Sequence, residues 1–459
     1  MVFPDAFVQR MQPILQNEWN AFVAAYDHPL RRGLRVNTAK IDVAAFRRLF
    51  PLPLEISPFA DNCFYLDAPH KAGTDPLHHA GAYYMQEPSA SSAVSVLAPT
   101  PGERVLDLCA APGGKSTQIA AALKDTGLLW SNEYVPARAK ILAQNIERWG
   151  TRQVVVSNTD SQTLCEALPG FFDAVLVDAP CSGEGMFRKE PQALTEWSVV
   201  NIHRCADRQL DILRSAATAV RPGGRLVYST CTFAPEENES VVAAFLTENP
   251  AFTLEPIDVP WGCPGWSFER VADFCTVSHC KDDLTGCRRI FPHHGGEGHF
   301  IAKFRRADKD YTPRIQPYPI PNKDANRQAA IELYNDCFTD TPTGHFVTIK
   351  NQVWLLPEQL PDYGNLHIIA AGVPVATVCK NRLEPSHSIF LAGAAHTCRR
   401  QVRFQPTDAL LHAYLHGEEI PCNGEPGWTA VCVADIPLGF GKVSGGRLKN
   451  RYPKGLRLL

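Results

Sequence analysis

The chain has 459 residues, more than one ordinary hydrophobic core accommodates, and about two to four domains are expected from length alone. Its 45% apolar and 20% charged residues are the proportions of a soluble globular protein. No apolar run approaches the ~18 residues needed to span a bilayer, which excludes a helical membrane protein. The formal net charge of −3 gives no global attraction to nucleic acid. The opening MVFPDAFVQRMQPIL lacks a basic start followed by an apolar stretch, so a cytoplasmic location is expected.

In chain order, an amphipathic helical pattern comes first, then LRVNTAKI (34–41) as a short strand and turn. HAGAYYMQEPSASSAVSVLA (79–98) passes from loop into an apolar helix. From 102 to 306 the rhythm is strand then helix, with strands expected at 105–109, 128–133, 154–157, 174–178 and 226–229. Helices are expected between them at 115–123, 137–149 and 204–220. Such alternation predicts an α/β fold with a mostly parallel sheet covered on both faces. The stretch 289–304 reads as a closing antiparallel hairpin. A proline-rich segment at 307–327 reads as a linker. Beyond it, short apolar runs separated by turns predict small α+β or β-rich modules at 328–390 and 391–459. From 442 to 459 there are six Lys or Arg residues and no acid. Gly445, Gly446 and Tyr452 within that block fit an ordered strand pair as well as they fit a solvated tail. Two more basic groups stand at Arg31, Arg32 and Arg35, and at Lys303, Arg305 and Arg306.

The fifteen cysteines are scattered, and reduced thiols are expected. Cys275, Cys280 and Cys287 lie near His279 without C-x-x-C spacing, so no metal site is expected. Two cysteines stand apart from the rest. Cys181 ends VLVDAPC (175–181) and Cys231 ends RLVYSTC (225–231), each at the carboxyl end of an expected strand. Ligands of open α/β sheets bind in the crevice outside those ends. Two thiols there, one beside Asp178, suggest covalent catalysis. Acids in Pro235-Glu-Glu-Asn-Glu239 predict a helix opening just after Cys231, which would favour its thiolate.

The run VLDLCAAPGGKS (105–116) is strand, glycine turn and helix start, a place where a ligand can approach backbone closely. It has neither G-x-G-x-x-G nor P-loop spacing. Glu133, nineteen residues after Gly114, ends the second strand, where an acid typically takes ribose hydroxyls. Asp160 follows the third strand, where a carboxylate can meet an adenine amino group. Together with the glycine turn these acids outline an adenosine pocket.

At LRVNTAK, GAYYMQEPSA, DLCAAPGGKSTQIA, NEY, DAPCSGEGMFRK, YSTCTFAPEENE and RIFPHHGGEGHF the chain resembles the Nol1/Nop2/Sun family of RNA 5-methylcytosine methyltransferases. KNRLEPSH (380–387) and LGFGKVSGGRLKNRYPKGLR (438–457) resemble the C-terminal segments of a bacterial branch acting on the decoding region of 16S rRNA. The resemblance implies a Rossmann-like catalytic domain at 96–306 that uses S-adenosyl-L-methionine. It also implies an RNA-binding extension at 1–95 and a basic, PUA-like RNA-binding module at 391–459. Cys109, Ala110, Ala111, Pro112, Gly113, Gly114 and Lys115 would wrap the cofactor, Glu133 hold its ribose and Asp160 its adenine. Asp178 would lie near both cofactor and base, Cys231 would be the nucleophile, and Cys181 would assist release. RNA, most of all 16S rRNA or the small ribosomal subunit, is the expected partner.

In that chemistry thiolate addition at C6 makes C5 of cytosine nucleophilic. Asp178 is expected to protonate or hydrogen-bond N3, which calls for a raised pKa. The target base must be unpaired or flipped out. Tyr83, Tyr84 and Phe187 are possible stacking partners, with core packing the commoner fate. Three readings compete: the thiols exchange roles as in DNA cytosine-C5 methyltransferases, tRNA is the substrate, or the chain is a non-catalytic ribosome-assembly protein.

Overall fold

The structure is a computed structural model that describes residues 1–308, 315–380 and 382–458. Of the expected linker, 309–314 lie outside the described residues, as do Asn381 in KNRLEPSH and Leu459 at the end of the basic block. Strands β1 (Arg32–Val36), β2 (Glu55–Ile56), β3 (Cys63–Leu66) and β4 (Tyr83–Met85) form an antiparallel sheet in the order β2-β3-β1-β4.

The central sheet contains β5 (Arg104–Asp107), β6 (Leu128–Asn132), β7 (Val154–Ser157), β8 (Phe172–Asp178), β9 (Val220–Thr230), β10 (Phe252–Glu255), β11 (Cys263–Pro264), β12 (Arg288–Ile290) and β13 (His299–Arg306). Its order runs β11-β12-β13-β9-β8-β5-β6-β7, with β10 paired to β13. Strands β5 to β9 pair in parallel, and β13 closes against β9 in the opposite direction. The expected hairpin is β12–β13, paired antiparallel. From β5 the chain moves outward through β6 and β7, then crosses to β8 and β9. The switch point therefore lies between β5 and β8, where ligands of such sheets bind.

Side chains alternate across these strands, so both faces are apolar, as a covered parallel sheet requires. Leu106, Trp130, Val155, Val177 and Leu226 fill the core on one face; Val105, Leu129, Val156, Leu176 and Val227 fill that on the other. Helices Gly114–Leu123, Pro136–Trp149 and Val199–Ala219 fall close to their expected places. The last begins earlier than the apolar pattern suggests because Ser198 caps it, accepting from the Asn201 N–H. Among the described residues no helix is long and apolar enough to cross a membrane.

Strands β14 (His345–Ile349), β15 (Gln352–Leu356), β16 (Ile368–Ala371), β17 (Val373–Cys379) and β18 (Arg382–Pro385) follow. Four of them form the sheet β14-β15-β17-β18, while β16 adds antiparallel to β7 and covers the edge of the central sheet. The final sheet joins β19 (Gln401–Phe404), β20 (Ile420–Pro421), β21 (Gly427–Val433), β22 (Ile436–Ser444) and β23 (Arg447–Asn450) in the order β19-β21-β22-β23-β20. The basic block is thus an ordered β22–β23 hairpin. Gly445 and Gly446 form its turn at φ 60° and 74°, a left-handed pair that favours glycine. Leu34, Phe64 and Tyr83 share one apolar core with Tyr414, Leu438 and Leu448, so the two ends of the chain pack together.

Candidate active site

Strands β8 and β9 run side by side with Asp178 opposite Ser229, so the residues just past both ends arrive at one place. The Sγ atoms of Cys181 and Cys231 lie 3.2 Å apart. The next residues also meet, Ser182 Oγ to Thr232 Oγ1 at 2.8 Å. The Gly185 N–H donates to the Cys231 carbonyl at 2.9 Å. A Cβ on Gly185 would stand 2.9 Å from the Gly298 carbonyl oxygen and 3.0 Å from that of Cys231, so only glycine fits there. The hydrogen bond to Cys231 and burial together hold the Cys181 thiol well above the usual thiol range, so it remains protonated at neutral pH.

The expected helix opening after Cys231 is displaced: the helix spans Glu239–Glu248, and 235–238 form a turn. The acids of this segment are turned inward and find partners there. Glu237 accepts from the Ser182 N–H at 2.9 Å and from Gln209 Nε2 at 2.8 Å. Burial pushes its carboxyl up to about 7. Glu236 pairs with Arg10 at 2.6 Å, and Glu239 forms a fully buried pair with Arg289. Glu184, from the loop after Cys181, accepts from the Phe233 N–H at 2.9 Å and Thr232 Oγ1 at 3.0 Å. Sequence reasoning missed Glu184 and Glu237 as braces of the two thiol loops. No local signal marks either acid, because their partners come from other elements.

Asp178 departs from expectation. Burial raises its carboxyl, but Lys115 Nζ at 2.7 Å and the Ser229 hydroxyl at 2.6 Å outweigh burial, and its pKa lies below the usual carboxylate value. It is therefore a carboxylate at neutral pH, not the raised acid foreseen from the strand end. Burial works against the Lys115 ammonium too, yet Asp178, with help from Asp107, holds its pKa above the usual value. The pair is a fixed zwitterion at the switch point. Asp107 behaves differently: burial raises it to about 7, with Ser116 its partner at 2.6 Å.

Two cavities meet at this point. The first, about 1080 Å3, is bounded by Cys109, Ala111, Glu133, Asp160, Asp178, Cys181 and Cys231. The second, about 820 Å3, is bounded by Ala110, Pro112, Gly114, Lys115, Tyr84 and His299. Cys109, Ala111, Asp178 and Cys231 line both. The segment expected to wrap the cofactor is thus a partition, with Lys115 on the second side. Gly113 is buried at the helix start with φ 114° and lines neither cavity. Glu133 is nearly fully buried and accepts from the Val135 N–H at 2.8 Å, with Arg138 3.5 Å away. Asp160 is exposed and caps Ser161–Ala167 by accepting from the Thr163 N–H, which lowers its pKa. The first cavity has the size and the carboxylate acceptors for an adenosine-containing cofactor, so the residues present fit that group.

The basic groups divide. Arg35 is fully buried and donates to the Gly114 carbonyl at 2.8 Å, so it supports the partition and is no docking residue. Lys303 and Arg305 both pair with Glu255, at 3.0 and 2.8 Å, and Arg306 donates to the Ala217 carbonyl at 3.2 Å. Arg32 is exposed at the rim of the second cavity. Lys442, Arg447, Lys449, Arg451 and Lys454 are exposed on the C-terminal hairpin and the turn after it. Tyr83 and Phe187 are core residues at 0% and 1% exposure. Tyr84 is 8% exposed and reaches the second cavity wall.

The fold and this site define a methyltransferase that uses S-adenosyl-L-methionine. Residues 94–305 match the family model of 16S rRNA methyltransferase RsmB/F. Residues 3–88, 333–392 and 401–458 match the N-terminal, first C-terminal and PUA domains of RsmF. The ribosomal RNA small subunit methyltransferase F of Vibrio cholerae is 34% identical over 475 residues, covering 99% of this chain and 97% of that protein. The Klebsiella pneumoniae protein of the same name is 34% identical over 486 residues, covering 99% and 96%. The chain belongs to the RsmB/F family of 16S rRNA methyltransferases, with the domains of its RsmF branch. A methyltransferase homolog from Pyrococcus horikoshii superposes with a TM-score of 0.58 at 30% identity, over 66% of this chain and 95% of that one. NSun6 of the same organism, crystallised with SFG, gives a TM-score of 0.56 at 22% identity over 67% and 99%, and shows the shared fold.

Proposed function

We propose that this chain methylates C5 of a cytosine in small-subunit ribosomal RNA, with Cys231 as nucleophile and Cys181 as the group that helps release it. The observation that carries this reading is the pair of thiols 3.2 Å apart where two cavities join. The first cavity would take S-adenosyl-L-methionine, held by Glu133 and Asp160, and the second would take the unpaired base. When bound, the cofactor supplies the methyl group as an electrophile. Cys231 adds to C6 of the base, which makes C5 nucleophilic enough to accept that methyl group. Cys181, kept protonated by its surroundings, does not compete for C6. After transfer, Cys181 releases its proton to solvent, its thiolate takes the C5 proton, the C5–H electrons form the C5=C6 bond, and the C6–S bond breaks so that Cys231 leaves as thiolate.

Because Asp178 is a carboxylate, it has no proton of its own to give N3. The Lys115 ammonium, on the base side of the partition, stabilises charge developing on the pyrimidine, and Asp178 holds that ammonium in place. The exposed basic hairpin would grip phosphates and set orientation, without reading sequence. RsmF-named relatives favour small-subunit rRNA over tRNA. Intact acids, thiols and lysine at the site count against a non-catalytic assembly role.

Bisulfite sequencing of RNA from cells with and without this protein tests the reading. One or more small-subunit rRNA cytosines should lose protection when it is absent. Loss confined to tRNA, or no loss at all, contradicts it.

A further inference from the structure

The second cavity has a wall residue that the chemistry above does not use. His299 opens β13, and the β9–β13 register pairs Phe300 with Thr230. His299 thus stands next to the end of the β9–β13 pairing, and Cys231 directly follows β9. It shares the second cavity with Lys115, Asp178 and Cys231.

Its hydrogen bonds fix its tautomer. Glu87 accepts from the backbone N–H groups of Ser89 at 2.9 Å and Ala90 at 3.0 Å, and from the Ser89 hydroxyl at 2.5 Å. Burial raises the Glu87 carboxyl while these three donors oppose it, and with Glu87 ionised the Ser89 proton is committed to it. Ser89 Oγ, 2.9 Å from His299 Nδ1, must then accept, so the ring proton is on Nδ1. Nε2, on the opposite edge, has no protein partner among the described residues and is left as an acceptor.

We propose that His299 Nε2 accepts a hydrogen bond from the 4-amino group of the target cytosine and so selects cytosine over uracil. Uracil would present O4 at that point, two lone pairs facing each other. The inference rests on the reading of the site as a cytosine pocket. Burial and the neighbouring Lys115 ammonium push the imidazole down to about 3, against a smaller opposing pull from Asp178, so the ring stays neutral and keeps its acceptor across the working range. A cationic imidazole would have no lone pair to offer.

The test uses the full-length protein and a synthetic RNA centred on the cytosine found by bisulfite sequencing. A second RNA carries pyrimidin-2-one there, which lacks the 4-amino group and still presents C6 to a thiol. His299→Phe should lower kcat/KM on the cytosine RNA about 10- to 100-fold, the range for losing one desolvated hydrogen bond. It should change the rate of covalent adduct formation with the pyrimidin-2-one RNA by less than about 3-fold. His299→Gln, which keeps an acceptor, should recover part of the loss on cytosine. An equal fall on both RNAs assigns His299 a purely structural role and overturns the proposal, as does no fall on either. Wild-type protein that leaves the cytosine RNA unmethylated defeats the cytosine-pocket reading first, and this inference with it.

Discussion

The crevice at the ends of β8 and β9 and the hairpin β22–β23 are both rich in polar side chains, but they use them in opposite ways. In the crevice, Lys115, Asp178, Ser229, Glu184 and Glu237 all have protein partners, and burial amplifies each interaction. On the hairpin and the turn after it, Lys449 and Lys454 are exposed, and the ion pairs of Arg447 and Arg451 are long, at 3.4 and 3.9 Å. A network with its partners in place is set for chemistry before substrate arrives. Exposed cations are set for an external polyanion. Where charge is satisfied internally it positions atoms; where it is not, it binds.

That contrast can be broken by substitution. The largest effect belongs to the crevice: Cys231→Ala should cut methyl transfer by about 10^4-fold or more while RNA affinity changes less than about 2-fold. Filter binding and single-turnover assays separate the two. Next, Lys115→Met should reduce kcat/KM by about 10^2- to 10^3-fold. It removes what holds Asp178 low and leaves burial to raise it, so the Asp178 carboxyl, followed directly by NMR titration, should ionise at higher pH. An unmoved titration would mean that Lys115 does not control Asp178.

Replacing Lys449, Arg451 and Lys454 together by Ala should weaken RNA binding and reduce the slope of log K against log salt by about 2, with kcat unchanged. Equal losses in RNA and cofactor affinity would count against docking. The smallest effect concerns Glu237. Its carboxyl is raised to about 7 in the fold, so folding favours the protonated form. Its ionisation should therefore remove stability as pH rises from about 4.5 through 7. Glu237→Gln should flatten that trend in Tm by about 2 °C.

Much of this was legible in the sequence. Strands β5 to β9, the glycine turn and the two thiols follow from apolar runs that end in reactive residues. The state of Asp178 did not, because it depends on Lys115, in the first turn of the helix Gly114–Leu123, reaching the end of β8, a residue 63 positions away. Glu237 read as a helix acid because its partners Ser182 and Gln209 come from other elements. Arg35 read as surface charge because nothing local shows that it is sealed against Gly114. The tautomer of His299 depends on Glu87 and Ser89, more than two hundred residues away. Local pattern carries strand ends and turns. Protonation and tautomer are properties of contacts distant in sequence.

The central claim is the division of labour between the thiols. Cys181→Ala protein, incubated with S-adenosyl-L-methionine and its RNA, should accumulate a denaturation-resistant adduct. Digestion and mass spectrometry should place the cytosine on the peptide that contains Cys231. An adduct mapped to any other residue, or turnover at the wild-type rate with no trapped species, would contradict the account.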